Sequence, residues 1–132
     1  MMKITYLLFL LILFSGCKKN KLKEINDPEW REKYSQISLN TCKKLEFCFK
    51  DSLKHIDLKL QSLAKNEIKP ELCMERSKKS KIYLLKVKNV EEAKLAASEC
   101  YVFFEKLSCE ELRENKLNES SACKITRLLQ SE

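Results

Sequence analysis

Asn89-Val90-Glu91-Glu92-Ala93-Lys94-Leu95-Ala96-Ala97-Ser98-Glu99-Cys100-Tyr101-Val102-Phe103-Phe104-Glu105-Lys106-Leu107 is the stretch that decides the fold. Val90, Ala93, Ala97, Cys100, Phe104 and Leu107 step by 3, 4, 3, 4 and 3, the seam of an amphipathic helix with coiled-coil-like spacing. Asn89 and Glu92 form a capping-box pattern at its start. Tyr101, Val102, Phe103 and Phe104 make the second half apolar nearly all round. Such a helix is central in a bundle, or lines a partner groove or an apolar-ligand pocket.

Working outward, the other segments show the same punctuation. Asp27-Pro28-Glu29 supplies a cap, a proline at the first helical position and an acid in the positive first turn, ahead of a Trp30, Tyr34, Ile37 stripe. A further stripe follows on Cys42, Leu45, Phe49, Leu53, Ile56, Leu60 and Leu63. One unbroken helix over residues 28–66 would measure about 58 Å, so a break is expected near Ser38 to Thr41 or at Asp51-Ser52. Lys69-Pro70-Glu71 opens another helix, which loses its apolar pattern over residues 76–81 and is expected to split. Ser108-Cys109-Glu110-Glu111 is a second capping box, starting a short helix that ends near Asn115. A last helix carries Ala122, Ile125, Leu128 and Leu129. Gly16 is the sole glycine. Tight two-residue hairpins favour glycine, so the expectation is an all-α domain, a small disulfide-stapled bundle of four to six helices over residues 28–132.

The staples are Cys42, Cys48, Cys73, Cys100, Cys109 and Cys123. An even set in an exported small domain reads as a disulfide framework, with 15 possible pairings. Cys42 and Cys48 lie six residues apart, about 120° around a helix, and face different neighbours. Each bridge is therefore expected to join two helices, with Cys73 and Cys123 tying the weaker elements to the longer ones.

The export argument rests on the N-terminus. Lys3 precedes an uninterrupted apolar run over residues 4–14, too short to span a bilayer, which needs about 20 residues. Leu13-Phe14-Ser15-Gly16-Cys17 follows, with small residues ahead of the cysteine, and Lys18-Lys19 stops the run. This pattern resembles the lipobox of bacterial lipoproteins. The usual leucine three residues before the cysteine is replaced by Phe14, as in the looser lipobox of spirochaetal lipoproteins. The resemblance covers residues 1–17 and implies cleavage after residue 16 and acylation of Cys17 with a diacylglyceryl group and palmitate-type chains. Residues 17–27 would then be the acylated cysteine and a basic tether carrying Lys18, Lys19, Lys21 and Lys23. The bilayer is the expected first partner, and the absence of an acid just after Cys17 favours the outer membrane of the cell envelope.

Composition limits the remaining choices. Removing residues 1–16 from 132 leaves 116, one small domain, whose net charge falls from +7 to +6 with the loss of Lys3. Glycine-dependent phosphate loops cannot be built, and no aromatic-basic motif points to nucleic acid. The nearest cysteine pair, Cys42-x5-Cys48, is wider than zinc spacing, so no metal or cofactor is expected. His55, the only histidine, has no nucleophile around it in the sequence and reads as a helix-surface residue at the edge of an apolar stripe. Glu91-Glu92 and Glu110-Glu111 fall in first helical turns, where they offset the dipole. Arg76, Lys78, Lys79 and Lys81 form the densest basic run, a candidate patch for an acidic protein, a glycan or lipid headgroups. The expected function is non-catalytic: binding or envelope interaction. The alternatives are a carrier holding an apolar ligand between helices near Phe103 and Phe104, and, last, an enzyme.

Overall fold

Asp27 accepts the backbone N–H of Trp30 at 3.0 Å and Pro28 takes the first helical position, so helix α1 begins where the sequence places it and runs over Pro28–Phe49. A computed structural model describes residues 21–131. After α1 come a 3-10 turn at Ser52–His55, α2 (Leu58–Glu67), α3 (Pro70–Lys78), α4 (Lys81–Leu84), α5 (Val90–Lys106), α6 (Cys109–Arg113), a second 3-10 turn at Lys116–Glu119, and α7 (Ser121–Ser131). The domain is all-α, with seven helices among the described residues. The count passes the expected four to six because both long segments split, and α4 is a single turn.

Of the two candidate breaks in the first segment, the chain takes the one at Asp51-Ser52. Ser38 stays inside α1, buried, with its hydroxyl hydrogen-bonded to that of Ser77 on α3. Further on, Arg113 Nη2 donates to the Cys48 carbonyl at 3.0 Å, satisfying an acceptor that a longer helix would have used. Ser38 with Ser77 and Cys42 with Cys73 make α3 antiparallel to α1.

The buried cluster comprises Trp30, Ile82, Leu85, Val87, Ala93, Ala97 and Leu129, with Tyr34, Val90 and Ile125 against it. It joins α1, α4, α5 and α7 at the start of α1. Trp30 Nε1 donates to the Ile82 carbonyl at 3.0 Å, while Gln130 on α7 accepts the N–H groups of Lys81 and Ile82 at 2.9 and 3.4 Å. Leu85 ends α4 with φ 51°, left-handed, which lets Lys86 N–H reach the Lys81 carbonyl at 2.9 Å. A glycine would adopt this backbone freely, whereas a leucine pays about 1–2 kcal/mol. Complete burial of the Leu85 side chain offsets that cost.

Three disulfides, Cys42–Cys73, Cys48–Cys109 and Cys100–Cys123, each join two helices, and Cys42 and Cys48 do not pair with each other. Cys73 and Cys123 tie α3 and α7 to the longer α1 and α5, as expected. The α5 seam is covered by α7, which runs back along it from Cys123 opposite Cys100 to Leu129 beside Ala93.

Across the bundle, Lys94 on α5 pairs with Asp27 at 2.6 Å. The hydrogen bond from Lys94, then that from the Trp30 N–H, holds the Asp27 carboxyl below the usual carboxylate range, and the bond to Asp27 raises Lys94. A carboxyl depressed in the folded state stabilises the fold above its unfolded value and loses that contribution as pH falls through the folded one.

Non-reducing peptide mapping should recover the three cross-linked pairs named above and no free thiol among the six cysteines. In chemical denaturation, Leu85→Gly should cost about 2 kcal/mol or more, because lost burial exceeds the relieved backbone strain. By contrast, Asn115→Gly, at an exposed left-handed position with φ 63°, should stay within about 0.5 kcal/mol of wild type. Asp27→Asn keeps a capping acceptor but removes the charge pair, so its melting temperature should fall below wild type near neutral pH and converge with it in acid, where Asp27 is protonated in the folded state. An unchanged difference at neutral and acid pH would show that the pair is not the source.

Candidate functional site

Helix α2 was expected to continue the inward apolar stripe of α1, and here the structure differs. The Asp51-Ser52 break and the cap of Asp57, which accepts Lys59 N–H at 2.8 Å, detach α2 and turn it onto the 3-10 turn and the start of α3. Gln61, Ala64 and Ile68 face inward, while Leu58, Leu60 and Leu63 are 82%, 56% and 63% exposed. Ile56 is exposed as well, and Phe47, at the root of this finger, is 68% exposed. Lys50, Lys59 and Lys65 on the same segment are exposed, as is Lys54, which pairs with Asp51 at 2.9 Å. Solitary exposed leucines are ordinary; here several large apolar side chains are exposed together on one projection.

The finger leaves the bundle at the end of α1. The chain enters at the other end, where Ile25 N–H donates to the Leu84 carbonyl at 3.2 Å and Arg31 pairs with Glu24 at 2.8 Å. The 22 residues of α1 hold the two ends about 33 Å apart. Glu24 and Ile25, within the expected tether, are thus fastened to the domain. Residues 1–16, Cys17 and the tether up to Asn20 lie outside the described residues.

The basic run is dispersed. Arg76 is engaged by the Glu67 carboxylate and carbonyl at the end of α2. Lys78 and Lys79 are exposed at the end of α3, and Lys81 is half-buried in α4. The structure therefore brings Lys78 and Lys79 together and assigns Arg76 to the base of the finger. His55 is exposed in the first 3-10 turn. Of the acidic pairs, Glu111 closes a capping box with Ser108, whose backbone N–H and hydroxyl hold its carboxyl below the usual range. Glu92 N–H donates to Asn89 at 3.1 Å.

An open cleft of about 390 Å³ lies between the start of α1 and α5, lined by Asp27, Glu29, Lys33, Glu91 and Lys94. Its central pair is Asp27 and Lys94, whose mutual hydrogen bond shifts Asp27 down and Lys94 up. Deeper in the bundle, burial pushes the Tyr34 phenol up, partly offset by hydrogen bonds with Ser80, Ser77 and Gln130. Among the described residues, no group of three or more His, Cys, Asp or Glu is placed to hold a metal ion, and no helix is long and apolar enough to cross a membrane.

The sequence does carry a signal for the exposed finger. Leu58 and Leu60 sit on opposite sides of a helix, so the apolar residues of α2 were never confined to one stripe. No family model, curated protein or solved structure matches the chain.

Proposed function

We propose that this protein is a membrane-anchored, non-catalytic interaction module of the cell envelope, with the outer membrane as its favoured location. Acylated Cys17 holds the chain at the bilayer, and the stapled bundle presents the α2 finger to an acidic protein partner. The observation that supports this reading is the exposure of Phe47, Leu58, Leu60 and Leu63 at the end of the bundle opposite the chain entry. Between Cys17 and Glu24 the tether spans at most about 25 Å when extended. With α1 upright, the finger points away from the lipid and its leucines meet the partner. Surrounding lysines raise the encounter rate with an acidic surface, and apolar contact supplies the affinity.

The anchor and the finger are tested separately. Wild-type protein should partition into the detergent phase and Cys17→Ala should remain aqueous; detergent partitioning of the purified variant would count against lipid anchoring. Leu60→Ser combined with Leu63→Ser should keep stability within about 1 kcal/mol, since both side chains are exposed. The same double variant should lose cross-links formed in intact cells from a photoreactive residue at Asn66. Cross-links to the same partner at undiminished yield would overturn the finger as the binding surface.

A further inference from the structure

The Trp30 cluster occupies one end of the bundle, and beyond it Phe104, Leu107, Ala122 and the cysteines Cys42, Cys48 and Cys123 are buried as well. Between α1, α5, α7 and the second 3-10 turn lies a half-open apolar pocket of about 220 Å³, walled by Ile37, Thr41, Leu45, Tyr101, Phe104 and Leu117. A concave lining of this kind suits an apolar guest. The cause of the pocket is visible in the side chains. Thr41 and Ala97, both small, stand on facing stripes of α1 and α5, and the two helices are braced apart by polar ties. Asn40 Nδ2 donates to the Tyr101 hydroxyl at 2.9 Å, and Lys44 Nζ donates to the Phe104 and Glu105 carbonyls at 2.9 and 2.8 Å.

The pocket adjoins the surface. Ile37 and Tyr101 also wall an outer groove of about 440 Å³, whose rim carries Gln36, Asn40, Ser98 and Lys33. Lys33 makes no ion pair among the described residues and lies 5.9 Å from the Trp30 ring centre. The arrangement is amphiphilic from inside out: a half-open apolar slot, a passage bounded by Ile37 and Tyr101, and a polar rim with the Lys33 ammonium, which also borders the cleft of Asp27 and Glu29.

We propose that the space between α1 and α5 is a binding site for a medium-chain carboxylate amphiphile, its hydrocarbon end in the slot beside Thr41 and Phe104 and its carboxylate at Lys33. By proportion with a cavity of about 150 Å³ that accepts benzene, a volume of about 220 Å³ corresponds to about nine carbons. A neutral hydrocarbon would fill the slot and leave the rim unused, whereas a carboxylate uses both. Asn40 and Tyr101, hydrogen-bonded to each other, stand at the outer groove beside the passage. This site goes beyond the interaction-module reading and needs neither the finger nor an acylated Cys17.

The test uses the full chain in phosphatidylcholine vesicles and decanoic acid bearing a terminal diazirine. After irradiation and digestion, the label should fall on peptides covering residues 37–45 and 97–104 and be displaced by unlabelled decanoate. Thr41→Phe fills the slot from the α1 side and should abolish that label while the three disulfides and the helical circular dichroism persist. Should Thr41→Phe misfold, Lys33→Glu, on the exposed rim, still decides the matter. It should weaken competition by decanoate about fivefold and leave competition by decanol unchanged. Label confined to residues 56–63, or undiminished in folded Thr41→Phe, would overturn the site. Equal loss of decanoate and decanol competition in Lys33→Glu, or of neither, would overturn the carboxylate assignment.

Discussion

The contact on which the rest depends is the closure of Trp30 onto α4. A four-residue helix has no stability of its own. It exists because Trp30 Nε1 takes the Ile82 carbonyl, Gln130 takes the two N–H groups at its start, and Ile82 and Leu85 are fully buried between them. That knot fixes the start of α1, the end of α7 and the chain entry at Ile25 in one place. It also explains why a leucine tolerates left-handed backbone in a domain without glycine: release would expose the side chain on which the cluster closes.

Beyond the knot, covalent bonds take over from packing. Cys48–Cys109, with a sequence separation of 61, ties α6 to the far end of α1, where few buried side chains lie. In the loop-entropy view, longer closures restrict the unfolded chain more, so this bridge contributes most where the apolar core contributes least. Cys42–Cys73 and Cys100–Cys123 do the same for α3 and α7, which are short enough to be marginal alone.

Much of this was legible because it is local. Asp27-Pro28, Ser108 with Glu111 and Asn89 with Glu92 state where helices begin, and the α5 seam states what must be covered. The ban on a Cys42–Cys48 pair follows from helical angle alone. Left-handed Leu85 was not legible, because its reason is tertiary: only the Trp30 cluster makes that conformation worth its cost. The α2 finger was legible in part. Leu58 opposite Leu60 shows that its apolar residues share no single stripe, but not that the faces of α1 and α3 are already joined to each other through Ser38–Ser77 and Cys42–Cys73. Of the candidate patch, the spacing of Arg76, Lys78, Lys79 and Lys81 showed charge density but not that Glu67 engages Arg76. The pocket escaped for a related reason. Thr41 and Ala97 each fit their stripes, and only the meeting of two small residues opens space.

The exposed finger and the unfilled slot share one origin. A bundle held by hydrophobic packing alone would close over a 220 Å³ gap, since helices slide until side chains interdigitate. Here the flanking helices are fixed by Cys42–Cys73 and Cys100–Cys123, and α1 is braced against α5 by Asn40 and Lys44. Helix positions are therefore set by bonds that ignore how well the intervening surface is filled. Such a frame can keep apolar surface open, in the slot and on the finger, without collapsing around it. Stability drawn from staples rather than from core volume leaves leucine, phenylalanine and tyrosine side chains available for contacts the domain does not make with itself.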